Sequence, residues 1–234
     1  MSATRKQIVI LGGGFGGVYT ARCLERILRP DEADICLINR ENYWVYQPML
    51  PEVISGSIGL TDVVSPIRRL CPRTNLVMRE VEEIDLKNKV VTVSPGFRPR
   101  QKQIPFDYLV IALGEVTNFY GMPGMLENAM PFRTLADAMA LRNHVIHALE
   151  EADVEEDAEL RRKLLTFVVG GGGFSGVEVI AELNNFVSSV KKNYIRLRSE
   201  QVRAVLVHSR DRILPEMADA LALFAQKILK KRGV

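Results

Sequence analysis

Cysteine is scarce in this sequence. There are three, Cys23, Cys36 and Cys71, and no two have CxxC spacing. The odd number speaks against a disulfide framework and the spacing against a zinc site. That usage fits a reducing, cytoplasmic setting. Cys23 and Cys36 lie in apolar patterns and are expected in the core; Cys71 precedes Pro72 in an expected turn. Long apolar runs are also missing. Stretches such as Tyr108–Leu113 stop well short of the ~20 residues that cross a bilayer. The start, Met1–Leu11, has Arg5, Lys6 and then only Ile8–Leu11 before glycine. This is too short for a signal peptide and reads as a first buried strand. Charge of one sign is lacking too: the net charge is +3, which is no nucleic-acid footprint. No Ser-His-Asp or metal-binding constellation stands out, and no metal site is expected. His144 and His147, at i, i+3 on one predicted helix, read as a surface pair.

What remains is an ordinary globular composition, 47% hydrophobic and 25% charged over 234 residues. It excludes a disordered, collagen-like or coiled-coil chain and allows one large domain or two modest ones. The informative residue is glycine. Ten of the seventeen glycines occupy two short segments, five in Gly12–Gly17 and five in Gly170–Gly176. Each follows a short apolar run, Gln7–Leu11 or Leu164–Val169, and precedes a helical pattern, Val18–Leu28 or Val177–Val190. Gly12 and Gly171 are 159 residues apart, too far for a solenoid repeat and suited to two tandem domains.

Elsewhere, strands are expected at Asp34–Asn39, Thr74–Val81, Lys89–Ser94, Phe106–Leu113 (strongly buried) and Val202–Val207. Gln47–Ile58 reads as a loop with a short helix, Pro95–Gln103 as a basic loop and Thr117–Pro131 as an interdomain connection. Thr134 and Asp137 open a capped helix running to about Glu151, and Ala218–Lys231 is an amphipathic helix. The seven acids of Glu150–Glu159, and the basic Lys191, Lys192, Arg196 and Arg198, read as solvated surface. The end at Val234, where a further strand is expected, points to a piece of a longer protein. A partial sheet with an open edge is expected to be poorly stable alone.

Gly12-x-Gly14-x-x-Gly17 and Gly171-x-Gly173-x-x-Gly176 both match GxGxxG. In such a turn the first glycine bends the chain, the second lets a pyrophosphate approach and the third lets helix pack on strand. The helix start offers free N–H groups and a positive dipole to the phosphates. Two copies, each between strand and helix, make a much stronger signal than one. The fingerprint also expects an acid at the end of the next strand, binding a ribose hydroxyl. The first unit has Asn39 there, followed by Arg40 and Glu41; the second has His208, Ser209 and Arg210. Asn39 still hydrogen-bonds a ribose, though more weakly than a carboxylate. His208 and Arg210 suit a 2′-phosphate, or they are plain turn residues, so the choice between NADH and NADPH stays open.

At these residues the sequence resembles the two-dinucleotide-binding-domain flavoproteins, most closely the type II NADH dehydrogenases (NADH:quinone oxidoreductases). The resemblance runs through Ile8–Gly17, Asn42–Leu50, Phe106–Gly114 with Thr117 and Asn118, Gly171–Glu178 and Asp211–Pro215. It implies an α/β fold of tandem Rossmann-like domains with parallel sheets, truncated at the C-terminus. Residues 1–120 would bind FAD, and residues 121–234 would form an incomplete NAD(P)H domain. It further implies that Gly12, Gly14, Phe15, Gly16 and Gly17 cradle the FAD pyrophosphate. Asn39 and Arg40 would lie by the adenosine ribose, Val81 by the adenine, Gln47 and Pro48 by the isoalloxazine, and Gly114 would close the site. Gly171, Gly173, Phe174, Ser175 and Gly176 would bind the nicotinamide dinucleotide, with Glu178 near the nicotinamide.

The reaction so implied is hydride transfer from NADH or NADPH to FAD and onward to a quinone, as in a non-pumping respiratory enzyme. Such chemistry rests on the flavin and asks the protein for orientation and electrostatics. The family's acids are absent at Asn39 and His208, and its later FAD-completing, quinone-site and membrane-associating segments are absent too. Peripheral attachment to the inner face of the cytoplasmic membrane is expected only through that missing region, and homodimerisation only from the family. A disulfide reductase would need CxxxxC within Glu41–Pro51, and a sulfide:quinone oxidoreductase cysteines beyond Cys71; neither is present. The remaining alternatives are a soluble NAD(P)H-dependent flavin reductase serving a small redox protein or oxygen, and a non-catalytic dinucleotide-binding protein.

Overall fold

Ile8–Leu11 lead into the first glycine turn, and all four side chains are buried. A strand with both faces buried must be covered on both sides, and the computed structural model shows by what. It describes residues 5–97, 99–197 and 202–234. In chain order the elements begin β1 (Lys6–Leu11), α1 (Phe15–Ile27), β2 (Ala33–Asn39), β3 (Tyr43–Val45), α2 (Leu50–Ser55), β4 (Val64–Pro66), α3 (Ile67–Leu70) and β5 (Asn75–Met78). Then come β6 (Val81–Asp85), β7 (Val90–Val93), β8 (Lys102–Pro105), β9 (Tyr108–Ile111), α4 (Met125–Asn128), α5 (Leu135–Val154) and α6 (Ala158–Leu164). The chain finishes with β10 (Thr166–Gly170), α7 (Phe174–Val190), β11 (Arg203–Val207) and α8 (Asp219–Lys231). They fall into two compact units, residues 1–46 with 64–118, and residues 47–63 with 119–234.

In the first unit β5-β2-β1-β9 form a parallel sheet. Side chains alternate across it. Ile8, Ile10, Ile35, Leu37 and Leu76 face Val18 and Ala21 of α1, with Ile67 and Cys71. Val9, Leu11, Cys36 and Ile38 face Val91, Val93, Ile104 and Phe106, from the antiparallel β6-β7-β8 sheet and its exit. In the second unit β10 and β11 pair in parallel. Phe167 packs with Val145 and Leu149 of α5 and Leu183 and Phe186 of α7. Ala204 of β11 packs with Ile180 of α7 and with Ala222 and Leu229 of α8.

The α/β class with parallel sheets is as expected. Several details differ. Both helices after the glycine turns begin three residues early, at Phe15 and Phe174, so Gly16, Gly17 and Gly176 belong to the first helical turn. Thr74–Val81 is not one strand: β5 ends at Met78, and Val81 starts β6 in another sheet. Arg79 N–H closes the β2–β5 ladder on Asn39 C=O at 2.9 Å, and Glu80 C=O then accepts from Ser94 N–H at 2.9 Å, beside β7. Part of the Pro95–Gln103 loop is strand, since β8 begins at Lys102, and the 117–131 connection contains α4. The expected buried strand Phe106–Leu113 is the shorter β9, with Tyr108 60% and Ile111 59% exposed. Among the described residues it pairs only with β1, at the sheet's edge, and one flank has no neighbouring strand. The capping box holds: Thr134 Oγ1 accepts from Asp137 N–H at 3.1 Å, and Asp137 accepts from Thr134 N–H at 2.8 Å.

Cys36 is buried but Cys23 is exposed. The inward face of α1 carries Gly17, Val18 and Ala21; two residues past Ala21 the helix has turned about 200° away. Burial pushes the Cys36 and Cys71 thiols up to about 11. A thiol reagent at mildly alkaline pH is therefore expected to label Cys23 alone, and all three cysteines only after unfolding. Rapid labelling of a second cysteine in the folded protein would contradict this core. His144 and His147 are both exposed. Arg198 of the basic run, and Met1–Thr4 at the start, lie outside the described residues. No helix among the described residues is long and apolar enough to cross a membrane.

Candidate functional site

The two glycine turns have nearly the same internal construction. Gly12 and Gly171 take φ of +101° and +109°, which favours glycine and bends the chain from strand to helix. Gly17 and Gly176 are pressed against the turn: a Cβ on either would lie 1.8 Å from the carbonyl oxygen of Gly12 or Gly171. In both turns a side chain from the end of the next strand accepts from the residue after the first glycine. Asn39 Oδ1 accepts from Gly13 N–H at 2.9 Å, and His208 Nδ1 from Gly172 N–H at 3.0 Å. These braces were not part of the sequence reading; their only signal was a polar side chain at the end of each second strand.

Gly14 and Gly173, the middle glycines of the two motifs, differ from Gly17 and Gly176. A Cβ built on either meets nothing within 4 Å. Their backbone angles, φ −81° and ψ −162°, and φ −77° and ψ −174°, are open to any residue. Neither strain nor crowding inside the protein asks for glycine there. Both are helix N-caps without a capping side chain, so each turn presents N–H groups and the positive end of a helix dipole beside a cleared space. A dinucleotide pyrophosphate fits those features, and on this ground the residues present suit FAD in one turn and NAD(P)H in the other.

Around the first turn the structure gathers several expected residues. The turn after β9 lies against it: a Cβ on Gly12 would fall 2.2 Å from Ala112 O, and one on Gly16 would fall 3.3 Å from the Ala112 Cβ. Gly114, with φ +76°, ends that turn. Arg40 and Val81 come together because Arg79 bonds to Asn39 and Arg40 pairs loosely with Glu80 at 3.8 Å. Asn39 is more committed than expected, since its Nδ2 also donates to Glu41 C=O at 2.9 Å. Phe15 stands among aromatics, with ring centroids 5.0 Å from Trp44 and 5.8 Å from Tyr46. That cluster was not anticipated.

Gln47 and Pro48 are exposed in a short 3₁₀ turn of the second unit, which leads into α2. In that unit α2 packs against α7, the helix of Glu178. Desolvation, and then the charge of Glu52 on α2, hold the Glu178 carboxyl above its usual range. Glu52 has one carboxylate oxygen, Oε2, that is buried and has no hydrogen-bond partner among the described residues. Glu178 is exposed and Glu52 half-buried, and Glu52 is a charged neighbour of Glu178 that the sequence reading missed. Glu52→Gln is expected to lower the Glu178 pKa toward that of a free glutamate, read by carboxyl NMR titration. An unchanged Glu178 titration would remove Glu52 as a partner. A raised folded pKa gives stability that is complete below the unfolded value and lost as pH rises through the folded one. Glu52→Gln should therefore help most at neutral pH and least in acid.

Phe174 and Ser175 are exposed at the start of α7 beside Gly173, and Arg210 is exposed two residues beyond His208. No group of three metal-ligating side chains occurs among the described residues.

Comparison with known proteins agrees with this geometry. Residues 6–234 match the family model for pyridine nucleotide-disulphide oxidoreductases. The chain is 31% identical, over 236 residues, to a type II NADH:quinone oxidoreductase of Staphylococcus epidermidis, covering all of this chain and 56% of that protein. It is 32% identical over 234 residues to the type II NADH:quinone oxidoreductase Ndh of Mycobacterium tuberculosis, covering 98% of this chain and 49% of that one. Among solved structures it is similar to NDH2 from Plasmodium falciparum in complex with NADH, with a TM-score of 0.89 and 25% identity. That match covers 99% of this chain and 47% of the other. The chain spans about half the length of these relatives.

Proposed function

The chain belongs to the pyridine nucleotide-disulphide oxidoreductase family and is homologous to type II NADH:quinone oxidoreductases over about half of their length; from that premise we propose that it passes hydride from NAD(P)H to FAD and electrons on to a quinone. The observation that carries the proposal is the matched pair of glycine turns, each with open space where a Cβ on its middle glycine, Gly14 or Gly173, would stand. One dinucleotide turn would suit many nucleotide-binding proteins; two suit a flavoprotein fed by a nicotinamide.

In this reading residues 1–120 hold FAD and residues 121–234 hold the nicotinamide dinucleotide. The N–H groups of Gly14, Phe15, Gly16 and Gly17, with the bend at Gly12, take the FAD pyrophosphate. Asn39 and Arg40 flank the ribose, Val81 the adenine, and Gly114 closes the turn. Gly171, Gly173, Phe174, Ser175 and Gly176 do the same for the second dinucleotide. Gln47, Pro48 and Glu178 keep, as part of the proposal, the roles that the resemblance gives them. When bound, FAD supplies the acceptor for a hydride and releases electrons onward. Quinone reduction consumes protons as well as electrons. Glu178, raised by partial desolvation of its carboxyl and by the charge of Glu52, holds a proton to higher pH than a free glutamate and suits that supply.

The experiment is an anaerobic titration of the native full-length protein by absorption. NADH or NADPH should bleach a flavin spectrum, and a soluble quinone should restore it. A protein without flavin, or with a flavin that neither nicotinamide bleaches, would overturn the reading. A flavin that oxygen restores and quinone does not would favour the soluble reductase instead.

A further inference from the structure

The second glycine turn is clamped by a loop that carries its own strain. Between β11 and α8, Leu214 takes a φ of +50°. A residue with a Cβ rarely adopts that angle, and the residue before a proline, here Pro215, is restricted further. Such strain persists only where the surroundings over-determine it. They do so here. The Leu214 side chain is buried with Ile180 of α7, Ala204 of β11 and Ala222 and Leu229 of α8. Its C=O accepts from Met217 N–H at 3.0 Å, closing a turn. Arg212 pairs with Asp219 and donates to Pro215 C=O at 3.2 Å. What the strained residue delivers is its N–H, which donates to Gly172 C=O at 2.6 Å.

That bond sets the direction of the next N–H. A peptide group is planar, and no cis bond occurs among the described residues, so a C=O and the N–H that follows it point opposite ways. Holding Gly172 C=O on the Leu214 loop therefore turns Gly173 N–H away from that loop. The two N–H groups before it are spent inside the protein. Gly171 donates to Val207 C=O at 2.8 Å and Gly172 to His208 Nδ1 at 3.0 Å. Gly173 N–H is the first that the turn leaves for a ligand, beside the open space where its Cβ would stand. A donor bonds an oxygen well only when nearly in line with it, and a donor fixed beforehand loses less freedom on binding. We infer that Leu214 is a positioning residue of the nicotinamide site, its strained backbone aiming Gly173 N–H at the pyrophosphate. The inference rests on the proposed dinucleotide role of this turn.

The test is calorimetric titration of the flavin-loaded, full-length protein with NAD⁺ and with NADP⁺, in two variants of nearly unchanged volume. Leu214→Ile keeps the N–H and the buried bulk but branches at Cβ, which resists a positive φ. It should bind the nucleotide that wild-type protein prefers about tenfold more weakly, the effect of one misdirected hydrogen bond to a charged oxygen. Leu214→Met has no such branch, and its affinity should stay within about threefold of wild type. Both variants should keep their flavin. Melting temperatures would establish that they fold. If Leu214→Ile does not, an ester in place of the Ile213–Leu214 amide removes the donor alone and should weaken binding to the same degree. Undiminished affinity in Leu214→Ile or in the ester, or an equal loss in Leu214→Ile and Leu214→Met, would assign Leu214 to core packing only. Either result would overturn its positioning role and leave the dinucleotide reading standing. Binding of neither nucleotide by wild-type protein would overturn both.

Discussion

Gly14→Ala is expected to leave the protein folded and to strip it of flavin, and Gly173→Ala to leave it folded and unable to bind a nicotinamide dinucleotide. The new methyl group meets no protein atom within 4 Å at either position. The backbone angles already suit alanine. Less freedom in the unfolded chain adds a few tenths of a kcal/mol or more, and the weaker alanine N-cap removes about as much. The melting temperature should therefore barely move. The same methyl stands where the pyrophosphate must approach. Two lost charge-assisted hydrogen bonds, at roughly 1.5–3 kcal/mol each, weaken binding by roughly 100-fold to 10,000-fold. Flavin content after purification reads the first variant, and nucleotide titration reads the second. Full binding by both alanine variants would mean that the cleared space has no ligand.

The third glycine of each motif should respond in the opposite way. By helix propensity alone, Gly17→Ala and Gly176→Ala would stabilise α1 and α7 by about 1 kcal/mol. The structure reverses that sign. A Cβ at either position overlaps a backbone oxygen at 1.8 Å, and backbone cannot step aside as a flexible side chain does. The helix must lift off the turn, which costs about 3 kcal/mol or more. Against a total stability of roughly 5–15 kcal/mol, a drop of several degrees in melting temperature is expected even without any dinucleotide present. Unchanged or raised stability would show that the helices do not pack as closely on their turns as described.

This contrast also explains how much could be read from the sequence. The strand-glycine-helix pattern is local, and its physics is carried by a few adjacent residues. Both turns, the parallel strands beside them and the capped helix from Thr134 were therefore legible. What escaped depends on distant partners. Val81 lies in an alternating stretch with Asn75–Met78, but its pairing with Val93 of β7 puts it in another sheet. Cys23 sits in an apolar pattern, but on the face of α1 turned away from the core. Glu52 lies in a loop-like run of prolines and glycines, and only the packing of α2 on α7 sets it against Glu178. The roles of Asn39 and His208 were half visible. The missing acid could be seen, but the bonds to Gly13 and Gly172 that fix how each side chain is spent could not.

In the proposed function each unit holds its own dinucleotide. The most direct test is to count them: flavin content of the native full-length protein, followed by calorimetric titration of that flavoprotein with NAD⁺ and NADP⁺. One flavin per chain is expected, with one further, saturable nicotinamide site that leaves the flavin in place. A nicotinamide that binds only by displacing flavin, or a chain that saturates with a single dinucleotide in all, would contradict it.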